Sequence, residues 1–296
     1  MKTSKTITVT GATGNIGSKL IPILLQKGAT VRIIGRDESK LAPFVKLGAV
    51  SFVGDLTDVD FLADAFAESD AVFSLIPPNY QAESFRGHQN LVGDAIARAI
   101  VRSGVRNVVN LSSLGADQTQ GTGPIMGLRD QELRLNAIAG LNVLHLRPAY
   151  FFENVFFGLG LIKEHGIFGT PIKSDIAFSQ VGTSDIAIRA ADLLLSNQFN
   201  GIKIDELAGP TDITMNEVTK TLGHVFEKSN LPYVQFAPAD AHAAMTASGL
   251  SPDVADMFLQ LYDAINNNRI KTVRGRDGEN TAGKTFRAFA ETTFKK

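Results

Sequence analysis

The first 150 residues alternate between two hydrophobic periods. KTITVT (5–10) alternates apolar and polar positions, as a strand does. NIGSKLIPILLQK (15–27) places apolar residues at 16, 20, 23 and 24, a helical spacing, although Pro22 falls inside the pattern. Gly28 closes that helix, and ATVRIIG (29–35) is the next strand. The same beat continues through a helix at 38–48, a strand at 49–55, a helix at 58–69 and a strand at 70–76. PPNY then breaks the chain before a long helix over 81–103, a strand over 105–113 and a Gly/Thr-rich loop at 115–124. A helix near 126–139 and a strand over 141–151 complete the series. Repeated strand–helix units of this length predict a parallel sheet with helices on both faces, an α/β doubly wound fold of Rossmann type.

Beyond about residue 150 the pattern loosens. A helix is expected over 182–197, beginning at Thr183 or Ser184, followed by a short strand in GIKIDELAG. Thr214 with Glu217 three residues later reads as a capping box opening another helix. PADAHAAM and SPDVADMFLQLYDAINNN also read as helices. We therefore expect a dinucleotide-type core over 1–150. A smaller mixed lobe over 151–296 would sit above the carboxyl edge of the sheet, with some of its segments returning to the core.

The turn after the first strand is TGATGNIG. Gly11, Gly14 and Gly17 have the spacing GxxGxxG between a strand and a helix. The first two let backbone approach a phosphate, the third lets helix and strand pack closely, and the helix start offers N–H groups to a pyrophosphate. A bare glycine turn is the alternative. An NAD site calls for Asp or Glu at the end of the second strand. Arg36 stands there instead, and a guanidinium suits a 2′-phosphate through paired donors. Lys40 could add charge, the adjacent Asp37 argues the other way, and an ordinary solvated arginine remains the bland reading. NADP(H) is favoured over NAD(H).

Asp55, ending the third strand in VGDLTD, either accepts from an adenine amino group, with Leu56 flanking the ring, or caps the next helix. Thr57 and Asp58 compete for that capping role. Ile76, Pro77 and Pro78 end the fourth strand as a rigid apolar wall, and Ser112 and Ser113 end the fifth on the nicotinamide side.

Composition narrows the chemistry. The chain has 296 residues and no cysteine, which excludes disulfides, thiolate metal sites and cysteine nucleophiles. His88, His145, His165, His224 and His242 show no metal-ligand spacing, so no metal is expected, and His145 within its strand reads as structural. The net charge of −1 carries no basic block, which argues against direct nucleic-acid binding. The opening MKTSKTITVTGATG enters the first strand without an apolar leader, and no run reaches about eighteen apolar residues, so we expect a cytoplasmic protein off the membrane. No GxSxG elbow is present. GENTAGKT (278–285) matches GxxxxGK[ST] in form, but eleven residues follow Thr285, too few for a βαβ unit, so it reads as a polar turn before a terminal helix.

TGATGNIG, IGR, VGDL, NLSS and LRPAYFFEN together resemble the NmrA-like group of atypical short-chain dehydrogenases/reductases. The resemblance covers most of the chain and is strongest over 5–155. It implies a Rossmann domain with a small C-terminal lobe and a preference for NADP(H). Some members reduce quinones or dyes, and others act as redox-responsive regulators. By position it assigns Gly11, Thr13, Gly14, Asn15 and Ile16 to the pyrophosphate loop and Arg36 to the 2′-phosphate. Pro148, Ala149, Tyr150 and Phe151 fall on the nicotinamide end. Asn154 falls in PxxFxEN. Glu132 matches a helix Glu that often follows a Lys in these proteins; here Arg129 stands nearby and no Lys does.

Short-chain dehydrogenases commonly use Tyr with Lys four residues on, the Lys lowering the phenol pKa. Four positions after Tyr80, Tyr150, Tyr233 and Tyr262 stand Ser84, Asn154, Ala237 and Asn266. A missing relay favours an acceptor that needs no strong proton donor, such as a quinone or conjugated dye. Tyr150, Phe151, Phe152, Phe156 and Phe157, with Tyr80 and Phe85, could line a slot for its ring, although each could equally be core; Phe152 and Phe156 would share one helix face. Ser112, Tyr150 and Asn154 are the candidates to orient the acceptor. The expected function is reduction of a small aromatic or quinone-like substrate. The alternative is a non-catalytic NADP(H) sensor acting through a protein partner.

Overall fold

A computed structural model describes residues 4–295. Its first part runs β1 (Thr6–Val9), α1 (Gly17–Gln26), β2 (Thr30–Gly35), α2 (Glu38–Lys46), β3 (Val50–Val53), α3 (Val59–Phe66), β4 (Ala71–Ser74), α4 (Phe85–Ser103), β5 (Asn107–Leu111), α5 (Ile125–Asn136) and β6 (Asn142–Pro148). Then come β7 (Tyr150–Phe151), a 3-10 helix (Phe152–Gly158), α6 (Leu159–Glu164), β8 (Phe168–Thr170), β9 (Phe178–Val181) and α7 (Thr183–Ser196). The last part holds β10 (Ile202–Leu207), β11 (Asp212–Ile213), α8 (Met215–Val225), β12 (Tyr233–Gln235), α9 (Pro238–Ala247), α10 (Pro252–Asn266) and α11 (Phe286–Phe294).

Seven strands pair in the order β10-β6-β5-β4-β1-β2-β3, and every pairing is parallel. The order reverses between β1 and β4, where Val9 sits opposite both Ile33 and Phe73. Such a switch point opens a crevice at the carboxyl ends of the strands. Helices cover both faces, which is why all four residues of β4 are buried. On one face Leu20, Ile21 and Leu24 of α1 pack with Ile186, Ala190 and Leu194 of α7. On the other, Leu62 and Phe66 of α3 pack with Ile96 and Ile100 of α4. Each fully buried leucine or phenylalanine contributes about 1.5–3 kcal/mol. That anchoring lets α1 run unbroken through Pro22.

Local chemistry sets the boundaries. The helix expected from residue 81 starts at Phe85, because Ser84 caps it by accepting from the Gly87 N–H at 3.1 Å. Gly104, with φ +74°, ends it. The expected strand 141–151 divides at Ala149, whose N–H donates to the Leu207 carbonyl at 2.9 Å. The chain then leaves the main sheet, and Tyr150–Phe151 pair with Gln180–Val181 in a second sheet of order β11-β9-β7. β10 and α7 belong to the main layers, although they lie beyond residue 150.

β8 and β12 form a third, two-stranded sheet. Thr214 and Glu217 make the capping box, each side chain accepting from the other's backbone N–H. A separate apolar cluster that includes Phe152, Phe168, Phe286 and Phe289 holds this part together. Residues 278–285 act structurally: Asn280 and Ala282 bracket Ala208 through two 2.8 Å backbone bonds, and Thr285 caps α11. Among the described residues no helix is long and apolar enough to cross a membrane, and no cluster of three metal-ligating side chains forms.

Candidate active site

The glycine loop between β1 and α1 has no room for a side chain at Gly11 or Gly17. Gly11 has φ +66°, and a Cβ there would come within 2.6 Å of Leu75. The Gly14 N–H donates to the Gly11 carbonyl at 3.1 Å. A Cβ on Gly17 would stand 2.3 Å from the same carbonyl oxygen, so only glycine lets α1 start this close to β1. No side chain caps α1 and no acid sits in its first turn, which leaves its positive end open. Thr10 stitches the loop to the end of β4, its Oγ1 accepting from the Leu75 N–H at 2.7 Å and donating to the Leu75 carbonyl at 3.0 Å. With the open positive end of α1 behind it, this loop fits a pyrophosphate.

At the end of β2, Arg36 is exposed and has no ion-pair partner among the described residues. Asp37 does not oppose it, because its carboxylate caps α2 by accepting from Ser39 N–H at 2.9 Å and Ser39 Oγ at 2.6 Å. Lys40 lies 3.9 Å from Asp37. Arg32 turns elsewhere, donating to the Ala67 carbonyl and lying over Phe52. Asp58 is the cap of α3. Asp55 instead accepts from Thr57 N–H at 2.9 Å and Oγ1 at 2.7 Å. The Thr57 hydroxyl and N–H, with a smaller contribution from Arg36, hold the Asp55 carboxyl below the usual carboxylate range. Leu56 packs partly into the core against α3 and α4.

A cavity of about 470 Å³ opens beside the loop at the carboxyl edge of the sheet. Many of the anticipated residues line it: Gly11, Thr13, Gly14, Asn15, Ile16, Ile76, Pro77, Ser112, Tyr150, Phe151 and Asn154, and with them Pro78, Tyr80, Phe85, Ser113, Ala149, Phe156 and Phe157. Four do not. Arg36, Asp55 and Leu56 lie outside it, beyond the ends of β2 and β3, with Arg36 close enough to Asp55 to act on its carboxyl. Pro148 is the last residue of the β6–β10 ladder, opposite Leu207, and of the anticipated run 148–151 only Ala149, Tyr150 and Phe151 reach the cavity. Phe152 is also absent from the wall: it is 1% exposed and stacks on Phe286 and Phe289. The segment 152–158 is a 3-10 helix, so the face expected for residues four apart does not form, and Phe156 lines the cavity while Phe152 does not.

Ser112 is buried at the cavity wall, with its hydroxyl placed to support the Glu132 carboxylate behind it. Behind it Arg147 pairs twice with Glu132, at 2.8 and 2.6 Å. Burial pushes the Glu132 carboxyl up, but the Arg147 hydrogen bonds, His145 as it charges in acid, and the Ser112 hydroxyl bring it below its ordinary value. His145 is fully buried between Asn110 and Asn136, and burial lowers its pKa to about 4, so it is a neutral structural residue at pH 7. Arg129 holds the loop before α5, donating to the Ala116 carbonyl at 3.0 Å.

Burial raises the Tyr150 phenol well above its ordinary value, and Tyr262 and Tyr233 raise it further while Asn154 opposes them. No lysine stands among the groups acting on it. The phenol is therefore protonated at neutral pH and is no base.

Sequence reading missed one group that organises the wall. Glu153 is buried and accepts from the Thr183 N–H at 3.1 Å and from Lys19 Nζ at 3.2 Å. Lys19 also donates to the Asn15 carbonyl at 3.0 Å and to Thr183 Oγ1, so one ammonium ties the glycine loop to the cavity wall at Glu153. The partners lie 134 residues apart, and nothing local signals the pair. Phe258, Leu261 and Ile265 of α10 also close the cavity. Their spacing reveals an apolar face but not what it covers.

A seven-stranded parallel sheet in this order, with a glycine cradle at its switch point, defines a Rossmann-type protein. The chain belongs to the NmrA-like family, whose model matches residues 3–280. It is 26% identical over 261 residues to an NAD(P)H azoreductase of Xenophilus azovorans, covering 86% of each chain. Its fold is similar to that of an NADPH-dependent quinone oxidoreductase of Escherichia coli solved with NADPH (TM-score 0.81, 21% identity, 97% of this chain and 99% of that one). It is also similar to NmrA, a negative transcriptional regulator solved with NADP (TM-score 0.71, 15% identity, 98% of this chain and 91% of that one).

Proposed function

We propose that the protein is an NADPH-dependent reductase of a quinone or a similar flat conjugated acceptor. The observation that carries this is one cavity wall on which the glycine loop and an aromatic face meet beside the buried Ser112. The loop from Gly11 to Ile16 and the open end of α1 would take the pyrophosphate, with Arg36 on the 2′-phosphate and Asp55 and Leu56 beside the adenine. Ile76, Pro77 and Phe151 would flank the nicotinamide end, with Pro148 supporting them from the sheet. Ser112, Tyr150 and Asn154 would orient the acceptor. The bound dinucleotide supplies hydride. That hydride and one proton reduce a quinone to its hydroquinone while NADPH leaves as NADP⁺. A hydroquinone anion is stable enough to take its proton from water, so the site works without a lysine beside Tyr150.

The relatives support the reading: one is named an NAD(P)H azoreductase and a fold neighbour is an NADPH-dependent quinone oxidoreductase. The test is NADPH oxidation by purified protein, with and without a panel of quinones and dyes. Acceptor-dependent turnover is expected, and its absence across the panel would sink the proposal. The missing proton relay and the fold shared with NmrA favour a second reading, an NADP(H) sensor with a protein partner. That reading predicts NADP⁺ and NADPH affinities that differ, or a partner that binds only one redox form.

A further inference from the structure

We infer that Lys19 and Glu153 are positioning residues: through them, a dinucleotide seated on the glycine loop fixes the 3-10 helix that carries Asn154. The inference rests on the dinucleotide half of the reading above and adds how one half of the site acts on the other.

The 3-10 helix begins where two cores meet. Phe151 packs against the core that holds α1 and α7, whereas Phe152 belongs to the lobe core with Phe286 and Phe289. Glu153 comes next, is 6% exposed, and reaches from the lobe to the main layers. Its two oxygens accept from the Thr183 N–H at 3.2 and 3.1 Å, and one of them also accepts from the Thr183 hydroxyl. Gly182 stands at the start of α7 and has no side chain to cap it. Glu153 therefore supplies the cap from another element, meeting a helix N–H that would otherwise have no partner.

Lys19 completes the join. It lies on α1 one turn after Asn15. An ammonium has three hydrogens, and this one has three acceptors: the Asn15 carbonyl at 3.0 Å, Glu153 at 3.2 Å and Thr183 Oγ1. Asn15 and Asn154 line the cavity, while Lys19 lies outside it. The ammonium thus acts from behind the wall. Leu20, Ile21 and Leu24 pack with Ile186, Ala190 and Leu194, so Lys19 and Thr183 are held on one face and Glu153 is the group that follows them. A buried carboxylate stripped of its partner is strongly destabilising, which gives the pair its grip. Asn15 is a loop residue that a pyrophosphate would meet, and Asn154 directly follows Glu153. Such coupling is reciprocal: a ligand that orders Asn154 tightens the dinucleotide by the same factor.

The experiment is hydrogen exchange of the full chain with and without saturating NADP⁺, followed in peptides covering 11–18 and 152–158. NADP⁺ needs no acceptor, so no turnover intervenes. In the wild type NADP⁺ should slow both segments, 152–158 by at least about fivefold, the lower end of coupling between two sites. In Lys19→Met and in the double variant Lys19→Met/Glu153→Gln, the loop should still be protected and the slowing of 152–158 should vanish. The double variant leaves no buried carboxylate without its partner, so it folds even where Lys19→Met alone does not. A pair that only stabilises the fold would speed exchange of 152–158 equally with and without NADP⁺. Slowing of 152–158 that survives in the double variant, or that is missing from a wild type whose loop is protected, overturns the inference. So does a double variant whose loop NADP⁺ no longer protects, because Lys19 would then belong to the dinucleotide site itself. A wild-type loop that NADP⁺ leaves unprotected removes the dinucleotide reading and the inference with it. Turnover with the quinone panel reports on the reductase reading separately.

Discussion

The glycine loop and the aromatic wall share one cavity and are specified in opposite ways. The loop is a local object. Gly11, Gly14 and Gly17 lie within seven residues, and their geometry follows from what a Cβ would strike. The wall is assembled at long range: Tyr80, Phe157 and Phe258 come from three separate elements, and Glu153 meets a lysine 134 residues away. Gly11 and Gly17 tolerate almost no substitution. A wall of side chains can change its selectivity by replacing one ring.

The sharpest way to break this contrast is Gly17→Ala. The new Cβ would sit 2.3 Å from the Gly11 carbonyl oxygen and 2.9 Å from Ala12 backbone, neither of which can rotate away. We expect about 3 kcal/mol of destabilisation, at the upper end for overpacking, with NADPH binding lost. A denaturant midpoint and an NADPH titration measure both. A variant that binds NADPH normally would show that the loop is not a cradle.

The contrast also explains what could be read in advance. The run from β1 to β6 was legible because strands buried on both faces and helices with one apolar face differ in period. The tight glycine turn and the Thr214–Glu217 box were legible because their chemistry is local. The expected start of α4 at 81 was wrong because Ser84 offered a better cap than anything before it. The strand expected through residue 151 was divided because Tyr150 and Phe151 find partners on β9, a long-range pairing no local pattern reports. Phe152 was grouped with the site because its type matched, yet packing against Phe286 and Phe289 takes it into the lobe core.

The next largest effect belongs to Arg36, outside the cavity and free of any ion pair among the described residues. Arg36→Ala should weaken NADPH binding roughly 10- to 100-fold, the worth of charge-assisted hydrogen bonds, and leave NADH within about threefold. Titrating both dinucleotides into both proteins checks this. Equal losses for the two would remove the 2′-phosphate role.

His145 gives a smaller, pH-dependent effect that sits in the framework and not in either half of the site. Its folded pKa of about 4 lies below the ordinary 6.5, because burial outweighs the attraction of Glu132. The unfolded chain therefore takes up the proton first as pH falls. The stability is fully present above pH 6.5 and is lost progressively toward pH 4, by roughly 1–3 kcal/mol. Urea midpoints at pH 7 and pH 5 should differ in the wild type and converge in His145→Asn. Parallel pH dependence in the two proteins would place the titration elsewhere.

The smallest effect is the most informative about the wall. Tyr150 lies in the cavity, but burial holds its phenol protonated and no lysine acts on it. If Tyr150 only orients the acceptor, Tyr150→Phe should lower kcat by less than about tenfold, well under the loss typical of a general acid or base. Its pH profile between 6 and 9 should match the wild type, since a phenol raised above its ordinary value does not ionise in that window. A break near neutral pH that disappears in Tyr150→Phe would mean the phenol transfers the proton after all. The wall would then do chemistry of its own, and the acceptor need not be one whose reduced form draws its proton from water.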